Sequence, residues 1–173
     1  PVWDVLAFFW MPEDRIPILK KRDHVEYDVW AREGFLEATD GNAVDYDQVI
    51  ARLEWAREMF DLREVAIDPW NSRQMQQELL KLGKYKVFEI PQKGFGHLSE
   101  PTKAMLGMID GSKLAHGGHP VLRWNADCLS VKSDGEDNIR PVKPDRRSSR
   151  KRIDGMMAMI MAISRARLAI EEV

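Results

Sequence analysis

The sequence predicts an α/β domain, and three stretches carry that expectation. Residues 64–90 read strand, helix, strand with short links, the pattern of a parallel βαβ unit. Two short β-type runs at 129–132 and 139–142 flank Ser133-Asp-Gly-Glu-Asp-Asn138, which suits a hairpin with a Gly-containing loop. The last stretch, 153–170, is apolar nearly all round as far as Ile163, which marks a buried helix.

The remaining elements follow in chain order. Residues 2–10 are aromatic and β-branched and stop before Met11-Pro12, as a mostly buried strand does. The segment to about Arg32 is polar and shows no clear period. Residues 34–39 can form a short strand ended by Asp40-Gly41-Asn42. From Tyr46, apolar residues recur at Val49, Ile50, Leu53 and Phe60, and Asp45 followed by Gln48 fits an N-cap, so 46–60 is a helix. Glu64-Val-Ala-Ile-Asp68 is a strand ended by Pro69. Helical spacing resumes from Asn71 to Gly83, a strand follows at 86–90, and 101–109 is helical. Turn chemistry surrounds His116-Gly-Gly-His119, which reads as a Gly-rich bend.

At 173 residues with 44% hydrophobic content, the chain suits a single domain over 1–173 with one core. Its formal net charge of −2 carries no global polyanion signal. Cys128 is the single cysteine, so no intramolecular disulfide is available. No apolar run reaches membrane-spanning length, and no membrane partner is expected. There is no G-x-x-x-x-G-K-[ST] segment, so no nucleotide site of that kind is expected, and Gly94-Phe-Gly96 is not a dinucleotide fingerprint. The opening inside a strand-like run, without initiator Met or signal segment, leads to the expectation of a piece of a longer protein.

Two acids stand out by position. Asp68 ends an apolar strand, where open α/β sheets hold ligands, and Pro69 disfavours helical geometry there. The competing reading is an Asp-Pro turn that starts the next helix. Asp154, in Arg152-Ile-Asp-Gly155, opens the Met-rich helix, where a carboxylate also complements the helix dipole. The Met run itself is core filler. Brought together, two such carboxylates suit Mg²⁺ or Mn²⁺, which prefer oxygen ligands. Two metals about 4 Å apart can activate water for attack on a phosphodiester, and that arrangement calls for a third carboxylate nearby.

Arg140, Lys143, Arg146, Arg147, Arg150, Lys151 and Arg152 face only Asp145 in the same stretch. The segment is therefore +6 and the remainder −8, against the total of −2. A basic loop running into Asp154 suits phosphate contact by Lys143, Arg146, Arg147, Arg150, Lys151 and Arg152; the alternative is a solvated loop. His116, His119 and Cys128 offer three zinc donors but no second ligand pair, so a structural zinc is not expected.

Tyr27-Asp-Val-Trp-Ala-Arg-Glu-Gly34, Gly41-Asn-Ala-Val-Asp-Tyr-Asp47, Ala66-Ile-Asp-Pro-Trp-Asn71, Pro101-Thr-Lys103, His116-Gly-Gly-His-Pro-Val-Leu-Arg-Trp124 and Arg152-Ile-Asp-Gly155 resemble, in order, the C-terminal nuclease region of tailed-phage terminase large subunits. The likeness runs from about Trp3 to Arg167. It implies a ribonuclease H-like fold, with a central mixed β-sheet flanked by helices and the hairpin near 129–142 added. It implies a two-metal Mg²⁺ or Mn²⁺ endonuclease with Asp68 and Asp154 as metal-holding catalytic acids, cutting double-stranded concatemeric DNA. By the same resemblance the partners are an ATPase motor domain of the parent protein, the small terminase subunit and the portal, in the host cytoplasm of a phage or prophage. The family's first aspartate lies on a central strand upstream of the position of Pro1; Asp4 corresponds to the following strand and does not replace it. His119 stands where an Asn is usual.

Two other functions fit less of this pattern. One is a catalytically incomplete domain of the same fold that binds DNA or a packaging partner. The other is a junction resolvase, in which the His116–Trp124 stretch has no reason to occur.

Overall fold

The computed structural model describes residues 1–70, 73–144 and 150–171. In chain order it contains β1 (Trp3–Asp4), β2 (Trp10–Pro12), a 3-10 turn (Glu13–Arg15), α1 (Ile16–Asp23), α2 (Tyr27–Arg32), β3 (Glu37–Thr39) and α3 (Tyr46–Met59). There follow β4 (Glu64–Ile67), α4 (Arg73–Leu82), β5 (Lys86–Glu89), α5 (Ser99–Asp110), β6 (Leu114–Ala115), α6 (Pro120–Asp127), β7 (Ser130–Ser133), β8 (Ile139–Val142) and α7 (Asp154–Glu171).

The βαβ unit is present, with β4 and β5 parallel from Glu64↔Lys86 to Ile67↔Glu89. Its helix is described from Arg73; Asn71, the expected start, lies outside the described residues. The hairpin forms too, β7 antiparallel to β8. Asp134 closes its turn, because its Oδ1 accepts from Glu136 N at 2.8 Å and Asn138 N at 3.2 Å. The α3 start is as expected: Asp45 Oδ1 accepts from Asp47 N at 2.9 Å, which satisfies one orphan donor of the first turn.

Three expectations are corrected. The run 2–10 is not one continuous strand. Its ends pair in parallel with β6 and β3, whereas residues 5–9 carry no ladder. Nor do the described strands join into one central sheet: they pair as four two-stranded units. Residues 3–10 and β4 are separated by a cleft of roughly 550 Å³, lined by Val5, Ala7 and Ala66 and by the α7 alanines Ala158, Ala162 and Ala166. Backbone groups across such a gap are too far apart to bond. Third, α7 is not buried all round. Met156, Met157, Ile160, Met161 and Ile163 are buried, but Ala158, Ala162 and Ala166 are exposed toward this cleft.

The polar stretch up to Arg32 folds as α1 and α2, and the bend after Gly118 leads into α6. Pro120 suits the first turn of α6, where its missing N–H costs nothing. These helices supply two of the three apolar clusters. The largest joins α5, α6 and α7 through Met105, Leu122, Met156 and Ile160. The second packs Ile16, Leu19, Tyr27 and Leu36, and the third seats α3 and α4 on β4 and β5 through Ile67, Met75 and Leu79. Among the described residues no helix is long and apolar enough to cross a membrane.

Candidate functional site

Asp68 follows the last residue of β4, and its Oδ1 accepts from Trp70 N at 3.2 Å. The Asp-Pro turn is therefore real. It leaves the carboxylate partly exposed at the strand end, so the turn and a ligand role are compatible.

Asp154 is the first residue of α7 and is exposed. Its position is determined by three contacts from distant parts of the chain. Asn125, buried in α6, accepts from Gly155 N through Oδ1 at 2.8 Å and donates to Val121 O at 3.0 Å. Asn125 thus caps a helix to which it does not belong. Gly155 lies so close to Phe9 that a Cβ there would stand 2.6 Å from Phe9 Cζ. Just upstream, Arg152 Nη2 lies 3.6 Å from the fully buried carboxylate of Asp23. Asp23 also accepts from Arg22 Nε at 2.6 Å and from the Tyr27 hydroxyl at 2.9 Å. Burial, reinforced by the bond to Asp23, pushes the Tyr27 phenol well up, so the hydroxyl stays a donor to the buried charge.

β4 and α7 run in opposite directions. Glu64, at the start of β4, pairs with Arg165 at 2.6 Å, near the far end of α7. Farther along the same parallel pair, Gln92, just past β5, reaches Met161, one turn nearer the start of α7. Asp68 and Asp154 accordingly lie toward the same end of this layer. Their donor chemistry suits a hard divalent cation, but their number does not complete a cage. Among the described residues no group of three or more His, Cys, Asp or Glu side chains is placed to hold a metal ion.

Of the basic residues, Arg150 is exposed, Lys143 and Lys151 are half-buried, and Arg152 turns its guanidinium toward Asp23. Arg146 and Arg147 lie outside the described residues. Cys128 is buried, and burial pushes its thiol up, away from the thiolate that zinc takes. The His119 ring lies 5.3 Å from both the Phe9 and the Phe35 ring.

Sequence reasoning missed Asn125 and Asp23. Neither sits in a local pattern that announces its role, since each acts on a residue brought near only by folding.

Residues 5–170 match the family described as "Terminase large subunit, endonuclease domain". The terminase large subunit of Enterobacteria phage HK97 is 34% identical over 172 residues, 99% of this chain and 33% of that protein. Protein YmfN of Escherichia coli (strain K12) is 28% identical over 175 aligned positions, 98% of this chain and 38% of that protein. The crystal structure of the HK97 bacteriophage large terminase superposes with a TM-score of 0.82 at 34% identity, over 95% of this chain and 34% of that one. The chain spans 33–38% of the length of these relatives.

Proposed function

The chain belongs to the terminase large-subunit endonuclease-domain family, and from that membership we propose that it is a divalent-metal-dependent endonuclease domain that cuts double-stranded concatemeric DNA during phage genome packaging. The observation that carries the mechanism is the opposed direction of β4 and α7, which supports a joint role for Asp68 and Asp154 at one end of the layer. In this reading the mixed α/β fold is ribonuclease H-like, and both carboxylates are hard oxygen donors for Mg²⁺ or Mn²⁺. When bound, the metal supplies water activation and charge stabilisation at the leaving oxygen. Asn125 and the Arg152–Asp23 pair keep Asp154 oriented, and Lys143, Arg146, Arg147, Arg150 and Lys151 hold the DNA phosphates, with Arg152 at the inner edge of that surface. A third carboxylate comes from a further strand seated beside β4, for which the 550 Å³ cleft provides room. The motor domain, small subunit and portal are partners of the parent protein in the host cytoplasm.

One observation favours a second reading, a domain that binds DNA without cutting it: the described residues contain no three-ligand group. Plasmid nicking with Mn²⁺ separates the two. The 173-residue chain is expected to cut little or not at all. The natural reading frame extended upstream through an Asp-bearing strand is expected to cut, and Asp68→Ala or Asp154→Ala in it to abolish cutting with an unchanged circular-dichroism spectrum. Full activity of the extended Asp154→Ala protein would reduce Asp154 to a helix-opening residue. An inactive extended protein that still binds DNA would favour the binding reading.

A further inference from the structure

Trp70 follows Asp68 by two residues and is 65% exposed, whereas the other five tryptophans are at least partly buried. An indole left in water forgoes the apolar burial that normally holds it, so its place at the mouth of β4 asks for another explanation. Above its ring stands Lys93, with Nζ 3.8 Å from the centroid. Lys93 belongs to the loop after β5, which Gly94 turns at φ +80. On the same loop the Phe95 ring carries the Arg140 guanidinium at 5.3 Å. Arg140 lies on β8, the strand that leads into the basic segment, and its Nε is buried with no hydrogen-bond partner among the described residues. Two cation–aromatic pairs on one loop therefore form a row, Trp70, Lys93, Phe95, Arg140, between the end of β4 and the hairpin. Lys93 is exposed and Arg140 half-buried, and among the described residues each cation is recorded against an aromatic face rather than a carboxylate.

We propose that Trp70, Lys93 and Arg140 form a DNA-contacting ridge that guides one strand between Asp68 and the basic segment. The indole takes the flat face of a deoxyribose or base, and the two cations take the flanking phosphates. This ridge rests on the reading of the chain as a DNA-cutting domain.

The test is fluorescence anisotropy of a labelled 30-base-pair duplex with the 173-residue chain in EDTA, titrated across salt concentration. Trp70→Ala is expected to weaken binding about tenfold with the salt slope unchanged, as loss of stacking does, and Trp70→Phe to retain most of the affinity. Lys93→Ala and Arg140→Ala are each expected to reduce the slope by close to one, as loss of one phosphate contact does. Wild-type affinity and slope in Trp70→Ala and Lys93→Ala would overturn the ridge while the DNA reading stands. Absence of duplex binding by the wild-type chain at low salt would instead remove the DNA reading, and the ridge with it. Trp70→Phe and Lys93→Ala alter exposed side chains only, so they keep the test decisive if Trp70→Ala misfolds.

Discussion

His119 lies half-buried between Phe9 and Phe35, its Nδ1 without a hydrogen-bond partner among the described residues. Burial, with the nearby His116 adding to it, pushes its pKa below the ordinary histidine value. The folded state therefore binds fewer protons here than the unfolded chain. The resulting stability is present above the ordinary histidine range, near about 6.5, and is lost as pH falls from there through the lowered folded value. Urea unfolding between pH 7.5 and 5 should show that loss, and His119→Asn should flatten it. A similar pH slope in the variant would assign the effect to another group. Gly155 is a second single-residue constraint, because a methyl at that position overlaps the Phe9 ring. Gly155→Ala is expected to cost about 1–3 kcal/mol in chemical denaturation, and less in a Phe9→Leu background, where the ring edge is gone.

At the scale of elements, α7 begins on a cap borrowed from α6. Asn125→Leu removes the acceptor for Gly155 N and is expected to cost about 1 kcal/mol, with faster hydrogen exchange at the Gly155 amide than at amides in the helix middle. Uniform exchange along α7 would argue against a capping role. Glu54 ties α3 to the turn before β5. It accepts from the Tyr85 hydroxyl, from Lys84 at 3.2 Å and from Arg57 at 3.1 Å. The Tyr85 bond first, then Lys84, hold its carboxyl at about 2. That stability is complete above the ordinary glutamate range and disappears as pH falls toward about 2. Glu54→Gln should therefore shrink the acid limb of the stability profile below about pH 4.5 while changing little at pH 7.

At the scale of the whole molecule, a cleft lies between residues 3–10 and β4, and the exposed α7 residues that line it are Ala158, Ala162 and Ala166, beside the better-buried Met159 and Ile163. An open cleft tolerates added volume that a packed core refuses. Ala162→Leu is accordingly expected to change stability by less than about 0.5 kcal/mol, against a loss of about 2 kcal/mol or more for Ile160→Ala on the buried face. A large loss for Ala162→Leu would mean that the cleft closes in solution.

The sequence by itself determined the elements whose cause is local. The βαβ unit, the hairpin, α3, α5 and α7 each carry a period or a turn signal within their own residues. The acids at 68 and 154 and the basic run between Arg140 and Arg152 were legible for the same reason, as strand-end, helix-start and charge-run positions. The tertiary structure alone decided the rest. Helices α1, α2 and α6 are short, and isolated segments of that length do not hold themselves helical, so they form because Leu19, Tyr27 and Leu122 find apolar partners elsewhere. Only folding shows that β4 and α7 run in opposite directions, which brings Asp68 and Asp154 toward one end, or that Asn125 and Asp23 secure the start of α7. Sequence patterns report what a residue does to its neighbours in the chain. Capping, ion pairing and close approach between distant segments depend on where the backbone returns, which the packing of the apolar clusters decides.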